Sequence, residues 1–532
     1  MKKTEVGCPN CGSVVEFTAS VSLVSVCRSC GSIVARSDRK IEDHGKVAAI
    51  VPTDSVFHLG QTGRFREHPF EVIGRVQYQH PTGGLWEEWY IAYPNGRWGW
   101  LAEAQGKRYL THARKITNHM SIPAWEDLTT GSSVRLGDDV NFSIQEFATA
   151  FLASAEGEIP FSAFPNGPHS FADLSGPSKG IATLAYKEGQ VELFIGHEVT
   201  LGELGISPND PKLGLNGDSQ QAPIVKGLAL NCPHCGGSVE MRAPDQSQRV
   251  TCSYCGSLLD IDGTNLRYLT TLTTQIKPLL PIGSTGTLAG TEFTVLGFVR
   301  RAVYFDAEYD WDEYLLYEKV TGFRWLVHSD LHWSFVEPAD PPNERGQTVS
   351  YDGENYRLFQ RAWARVLHVY GEFYWKVSVG DTVLMLDYIS PPHMISIEKT
   401  PTVQIPSRLF EAKNFSNYKY SESNCSFGTY IPHEEVEKAF KVGPLRRGAA
   451  IAPNQPAPNY QAIFFGWVVF IFLLIGIDIF YSTVMKYTVA HAWTFIAIII
   501  LSLYPIAMLL HKGAFETSRW ADSEFSPYNS NS

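Results

Sequence analysis

The chain has 532 residues, of which 44% are hydrophobic and 19% are charged, and its formal net charge is −11. This balance excludes a largely disordered chain and is sufficient for several packed domains. The negative charge argues against broad nucleic-acid binding, because the chain and a phosphate backbone repel each other.

Two sets of four cysteines predict two zinc ribbons, at residues 1–40 and 225–262. A glycine follows the second cysteine of each pair and accepts the left-handed backbone that closes a metal knuckle. Four thiolates form the closed tetrahedral site that structural zinc prefers, so we expect two Zn ions. Disulfides and a rubredoxin-like iron site are the alternatives. The predicted ligands are Cys8, Cys11, Cys27 and Cys30 in the first ribbon, and Cys232, Cys235, Cys252 and Cys255 in the second.

The segments that follow the two ribbons repeat each other. GQTGRFREHPFEVIGRV begins at Gly60 and GSTGTLAGTEFTVLGFV begins at Gly283, an offset of 223 residues. The ribbons have nearly the same offset, which indicates duplication of the whole ribbon-plus-module unit. Alternating apolar residues and turn signals such as Asn95-Gly96 predict strands, and helical periodicity is almost missing before residue 430. The predicted fold class is mainly β, with small sheet-like or barrel-like modules.

Each copy divides into two half-modules, in which Gly157–Glu158 aligns with Gly371–Glu372. We interpret the two glutamates as exposed carboxylates at turns, with paired functional acids as the alternative. The predicted β modules span 46–125 and 126–215 in the first copy, and 270–340 and 341–430 in the second. A short helix and a Pro-rich linker are predicted at 431–458.

Two apolar stretches at 459–511 predict a transmembrane helical hairpin, since each reaches the roughly 20 residues that span a bilayer. Basic residues collect on both flanks, which places the flanks in the cytoplasm. We therefore predict a two-pass protein of the inner (cytoplasmic) membrane, with both termini and the tail 512–532 in the cytoplasm. Asp478 is interpreted as a headgroup-boundary residue, because the spans offer no second charge as its partner.

Carboxylates lie among aromatic residues in both copies, at Glu87 and Glu88 in WEEWY and at Glu313 in WDEY. Such groups could bind an organic cation through ion pairing and cation–π contact, and a solvated hairpin face is the alternative. His328 and His332 are interpreted as strand or loop residues. No zinc-protease, P-loop or nucleophile-elbow motif is present, so no catalytic or cofactor-binding residue is predicted.

The run from Gly283 through Trp325 carries G-T-x-x-G-x-x-F-x-V-x-G, then W-D-E-Y-L-L-Y and R-W-L. It resembles an uncharacterised bacterial β-rich domain family of unknown function, over roughly residues 46–200 and 270–400. The resemblance implies an association with zinc ribbons and membrane helices, and for some members with polyamine-synthesis and membrane-stress genes. It implies no catalytic residue.

We expect a non-enzymatic scaffold or sensor at the inner face of a bacterial membrane. Its β modules would bind a protein partner or a small ligand, and a cationic ligand such as a polyamine is a candidate. Nucleic acid is not an expected partner. Two alternatives stay open. One is an enzyme acting on a cationic or membrane-proximal substrate through Glu88, Glu158, Glu313 or Glu372, and the other is a zinc-ribbon nucleic-acid binder.

Overall fold

The protein is represented by a computed structural model. Among the residues that it describes, the chain forms 31 β-strands and three α-helices, so the predicted mainly β fold class is confirmed. The described residues are 4–18, 22–36, 41–48, 50, 55–81, 84–104, 107–137, 140–161, 167–187, 189–206, 230–243, 247–262, 265–272, 276–304, 308–403, 405, 415, 418–448, 450–484, 486 and 491–528.

The first ribbon and the first module contain fifteen of the described strands. The ribbon strands are β1 Thr4–Gly7, β2 Val14–Phe17, β3 Val24–Val26, β4 Ser32–Arg36 and β5 Ile41–Lys46. The module strands are β6 Thr62–Phe65, β7 His68–Gln79, β8 Leu85–Ala92, β9 Trp98–Ala104, β10 Lys107–Arg114, β11 Ser133–Arg135, β12 Asn141–Ile159, β13 Pro168–Ser175, β14 Gly180–Lys187 and β15 Gln190–Glu198, with a 3-10 turn at Trp125–Asp127.

The second ribbon and module repeat this order and are followed by helices. The ribbon strands are β16 Leu230–Asn231, β17 Ser238–Val239, β18 Arg249–Thr251, β19 Ser257–Asp262 and β20 Asn265–Thr271. The module strands are β21 Thr285–Leu288, β22 Thr291–Tyr304, β23 Glu308–Glu318, β24 Gly322–Ser329, β25 His332–Pro338, β26 Asn343–Arg345, β27 Thr348–Tyr351, β28 Glu354–Phe373, β29 Thr382–Ser390, β30 His393–Pro401 and β31 Tyr420–Ile431. The helices are α1 His433–Phe440, α2 Gln461–Thr483 and α3 His491–Arg519.

Each module closes into an antiparallel barrel of eight described strands. In the first barrel β7, β8, β9, β10, β15, β14, β13 and β12 pair in that order, and β12 pairs back with β7. In the second barrel β22, β23, β24, β25, β31, β30, β29 and β28 do the same. Closure pairs every strand on both sides, and alternate residues then face a common interior.

Glycines make the closing seam of each barrel possible. Gly74 of β7 lies opposite Gly157 of β12, and a Cβ on Gly74 would lie 1.7 Å from the carbonyl oxygen of Glu158. Gly157 has a φ of +71°, a conformation that glycine adopts without strain. Gly297 and Gly371 form the same pair in the second barrel. The repeated glycines are therefore structural equivalents.

The ribbons and the two barrels are joined by strand pairing. In the first copy β3 pairs with the end of β12, and in the second copy β18 pairs with the end of β28. Between the barrels, Glu146 of β12 lies opposite Glu422 of β31, and Lys107 forms an ion pair of 2.9 Å with Asp340. Each ribbon thus extends the sheet of its own barrel, and the two barrels contact each other through β12 and β31.

Two of the described helices are long and apolar enough to cross a membrane. They span Gln461–Thr483 and Trp493–Arg519, with mean hydropathies of 2.6 and 2.3. Asp478 of α2 does have a partner, because His491 at the start of α3 lies 2.7 Å from its carboxylate. The prediction that Asp478 has no partner is therefore wrong, because a histidine is charged only when protonated and was not counted as a partner.

The end of α3 packs against the second barrel. The Arg519 side chain is fully buried and donates hydrogen bonds to the carbonyls of Ala452 and Pro453, at 3.1 and 2.7 Å. Trp520 stacks against Phe359 of β28, with ring centroids 5.3 Å apart. The Pro-rich segment before α2 is consequently held between the barrel and the last helix.

Candidate metal centres and ligand cavity

The structure brings each set of four cysteines together. Within each set the sulfur atoms all lie within 4.8 Å of one another. In the first ribbon Cys8 and Cys30 are 3.7 Å apart, and Cys11 and Cys27 are 3.6 Å apart. In the second ribbon the corresponding distances are 3.8 and 3.7 Å. A tetrahedron with metal–sulfur bonds of about 2.3 Å has sulfur–sulfur edges of about 3.8 Å, so both sets fit a four-thiolate metal ion.

The glycine after each cysteine pair has the geometry that the sequence predicts. Gly12, Gly31, Gly236 and Gly256 have φ values of +77°, +71°, +74° and +70°. Each donates its N–H to the carbonyl of the first cysteine of its pair, at 2.8–2.9 Å. His234 is exposed, and its ring stacks on Tyr268 while Nδ1 contacts the Ser257 hydroxyl at 3.1 Å.

Glu158 and Glu372 attach the ribbons to the barrels. Both are buried, so the interpretation as exposed turn carboxylates is wrong. Glu158 accepts hydrogen bonds from the backbone N–H of Thr18 and from the Ser22 hydroxyl, the latter at 2.6 Å. They lie at the ends of long strands rather than in turns, where the adjacent glycine lets two strands approach closely.

Glu372 makes the matching contacts in the second copy. It accepts the N–H of Arg242 at 2.8 Å, the N–H of Ala243 at 3.0 Å and the Ser247 hydroxyl at 3.2 Å. Burial raises the pKa of Glu372, and the two N–H groups oppose that rise. Donors from the ribbons contact both oxygens of each carboxylate, so Glu158 and Glu372 hold ribbon to barrel.

A cavity of about 1180 Å³ runs through the two barrels and the space between them. Its lining is predominantly apolar and aromatic, with a minority of acidic side chains. It also reaches the segment Ala452–Asn454 that precedes the membrane helices. Its volume suits a small organic molecule.

The first barrel contributes Glu88 and Asp173 to this cavity. Trp86 donates its indole N–H to Glu88 at 3.3 Å, and the Thr183 hydroxyl donates to Asp173 at 2.7 Å. Burial raises the pKa of both carboxyls to about 7, and for Asp173 the negative charges of neighbouring carboxylates add to the rise. We call Glu88 and Asp173 the first acid pair.

The second barrel repeats these groups. Trp311 donates its indole N–H to Glu313 at 2.7 Å, and the Ser396 hydroxyl donates to Asp387 at 2.6 Å. Burial raises the pKa of Asp387 to about 7 and also raises that of Glu313. We call Glu313 and Asp387 the second acid pair.

An arginine distinguishes the two interiors. Arg301 of β22 lies 3.3 Å from Glu313 and 2.7 Å from Glu398. The offset of 223 residues places Tyr78 at the position of Arg301 in the first barrel. There Tyr78 stacks on His169, with ring centroids 4.6 Å apart. Burial lowers the pKa of His169 to about 4, so this imidazole is neutral at pH 7.

The structure separates the acidic residues that the sequence placed together as candidates. Glu88 and Glu313 face the cavity, whereas Glu87 points to the other side of β8 and pairs with Arg75. Sequence reasoning missed Asp173 and Asp387, although the offset of 214 that aligns the two Gly–Glu pairs also aligns these two aspartates. His328 and His332 lie in β24 and β25, as expected.

Comparison with protein families gives a match for both copies. Residues 58–201 and 281–409 match the family described as Domain of unknown function (DUF4178). The chain belongs to this family. The first match covers β6 to β15, and the second covers β21 to β30 but ends before β31. Comparison of the DUF4178 chain with curated proteins and with solved structures gave no match.

Proposed function

We propose that this protein is a membrane-anchored sensor or scaffold that holds a small ligand in the cavity of its two DUF4178 barrels. The contact between cavity and anchor is the observation that carries the proposal. Ala452, Pro453 and Asn454 line the cavity, and Arg519 at the end of α3 binds the first two through their carbonyls. A ligand in the cavity would touch the segment that leads into the membrane helices.

The test compares the protein with a variant whose cavity is filled. Ala102 lies in the cavity wall, and Ala102→Trp would occupy space that a ligand needs. The full chain in detergent is analysed by native mass spectrometry for retained small molecules, with Val14→Trp on the exposed ribbon surface as the control. We expect a retained molecule in the wild type and the control, and its loss from Ala102→Trp.

A second measurement tests the connection to the anchor. Ligand-loaded and ligand-stripped protein should differ in amide exchange at residues 452–460, since ligand contact restrains the segment that Arg519 holds. Equal exchange in the two states would leave a binding protein without a signalling role. Equal ligand retention in all variants, or none in any, would overturn the cavity proposal.

We also propose that zinc occupies both cysteine sets. Four thiolates leave no open position for water, so the role of the metal is to fold the ribbons rather than to react. Metal analysis of the purified chain should give two zinc ions, and Cys11→Ser and Cys235→Ser should each remove one. Iron in place of zinc, or a folded chain that holds no metal, would contradict this assignment.

The proposed location is the inner membrane of a bacterium, with both barrels in the cytoplasm. The basic residues Lys438, Lys441, Arg446 and Arg447 before α2, with Lys512 and Arg519 towards the end of α3, support this orientation. A fluorescent-protein fusion after residue 532 should fluoresce, and a periplasmic phosphatase fusion at that site should be inactive. The reverse pattern would refute the orientation.

A second candidate is an enzyme that acts on a cationic substrate. Glu88 and Asp173 favour it, because two carboxyls with a pKa of about 7 share one deep cavity. The retained molecule separates the candidates. A binding protein returns it unchanged after prolonged incubation, whereas an enzyme converts it at a rate that falls in Glu88→Gln.

A further inference from the structure

We propose that the first acid pair, Glu88 and Asp173, binds a small organic cation with a guanidinium or ammonium group, at the site equivalent to the one that Arg301 fills in the second barrel. This inference rests on the proposed function and names its ligand class. It follows from a comparison of the two copies, which use one scaffold in two different ways.

The second barrel shows what this scaffold accommodates. Its Glu313 shares one neighbour with Glu88, since a tryptophan two residues earlier donates an indole N–H to each carboxylate. Glu313 lies 3.3 Å from the guanidinium of Arg301, which also binds Glu398. A cation supplied by the chain itself thus occupies the interior of the second barrel.

The first barrel keeps the acids and lacks this arginine. Tyr78 replaces Arg301, and Ala185 lies where Glu398 is found in the second barrel. In the described residues no ion pair involves Glu88 or Asp173. The basic side chains of the first cavity wall contact other carboxylates: Lys187 contacts Glu192 at 2.7 Å, Lys107 contacts Glu198 and Asp340 at 3.6 and 2.9 Å, Lys179 contacts Glu198 at 3.9 Å, and the His80 ring contacts Glu146 at 2.7 Å.

The walls around the first acid pair suit an organic cation better than a metal ion. Trp86 lies between Tyr78 and Phe171, with ring centroids 5.2 and 5.4 Å away. Aromatic faces attract ammonium and guanidinium groups, and attract them more strongly where water is excluded. A hard metal ion prefers several oxygen ligands, and the aromatic walls supply few. Carboxylates and rings together therefore recognise both the charge and the apolar body of the ligand.

The test uses agmatine, which carries a guanidinium and an ammonium group, as the probe. Calorimetry on the full chain in detergent should show one site per chain, and 1-butanol should not bind. Putrescine, which carries two ammonium groups, should bind more weakly, because a planar guanidinium offers more N–H donors to a carboxylate, as Arg301 does to Glu313. Glu88→Gln and Asp173→Asn should each weaken agmatine by about tenfold to hundredfold.

A substitution that supplies an arginine at the position of Arg301 separates lost binding from lost folding. Tyr78→Arg supplies an internal cation to the first acid pair, so it should abolish agmatine binding while the melting temperature stays near that of the wild type. Glu435→Gln, an exposed acid on α1, is the matched control for charge removal.

Three results would overturn the inference: no agmatine binding, binding that Glu88→Gln leaves unchanged, or equal binding of 1-butanol. Any of these, combined with a small molecule that the wild type retains and Ala102→Trp loses, would leave the proposed function standing with another ligand class. Absence of a retained molecule in every variant would remove both.

Discussion

Replacing Glu372 with alanine should detach the second ribbon from its barrel. The carboxylate is 1% exposed and accepts hydrogen bonds from two backbone N–H groups and one hydroxyl. Alanine leaves these donors buried beside a small void. Each orphaned donor costs about 1–3 kcal/mol, and some of this is recovered when water enters. The expected loss is about 3–5 kcal/mol, which is typical of breaking a buried charged contact.

Two measurements detect this loss of unfolding free energy. The melting temperature of the zinc-loaded chain should fall by roughly 5 °C or more. Amide exchange at Arg242 and Ala243 should accelerate, because their N–H groups lose the carboxylate that protects them. Glu240→Ala is the control, since Glu240 belongs to the same ribbon and its side chain is 79% exposed.

Two results would refute a holding role for Glu372. One is slow exchange at these two amides in Glu372→Ala, and the other is the same fall in melting temperature in Glu240→Ala. In either case the carboxylate would not hold the ribbon. Glu158→Ala provides an independent repetition in the first copy, with the Thr18 amide as the reporter.

Three further outcomes are expected. Gly74→Ala should cost about 2–4 kcal/mol of unfolding free energy, because its Cβ would collide with the facing strand. Gly96→Ala lies in an open turn and should cost about 1 kcal/mol. Similar losses for the two variants in urea titrations would contradict this difference. Arg519→Gln should speed amide exchange at Ala452 and Asn454, and the exposed Arg447→Gln should not. Burial raises the pKa of Asp387 to about 7, so the folded state keeps a proton that the unfolded state releases near pH 4. Unfolding free energy should therefore fall by up to about 1.4 kcal/mol per pH unit from pH 4 to 7, a slope that Asp387→Asn should reduce.

Local patterns carried most of the correct predictions. The two cysteine sets, the glycine knuckles, the Asn95-Gly96 hairpin and the apolar helices all depend on neighbours within a few residues. Duplication supplied independent support for the cysteine sets and the glycine knuckles, because each of them occurs in both copies. These features could be read from one chain since their physical causes lie close together in sequence.

Barrel closure could not be predicted in the same way. It depends on pairing of β10 with β15 and of β25 with β31, whose partners are far apart in the sequence. The inward direction of Asp173 and Asp387 depends on that closure, so each aspartate resembled a polar residue on an open strand. The offset of 214 residues that aligns Gly157 with Gly371 also identifies Asp173 and Asp387 as equivalent residues.

The misreading of Glu158 and Glu372 has a physical cause as well. A glycine with positive φ usually marks a turn, and an acid beside it is usually solvated. Here the glycine lets β7 and β12 approach each other within one long strand pair, and the next side chain points toward the ribbon. The sequence signal for a buried glutamate at this position is the occurrence of the Gly–Glu pair in both copies.

The position of Trp520 and Ser523 on β28 constrains the order of biogenesis. Ser523 donates a hydrogen bond to the carbonyl of Phe359, and Trp520 covers the Phe359 ring. A ribosome synthesises these residues only after both apolar helices. If the helices cross the bilayer, the outer face of the second barrel is completed only after both have been synthesised, so final maturation of this barrel would report that the anchor is in place.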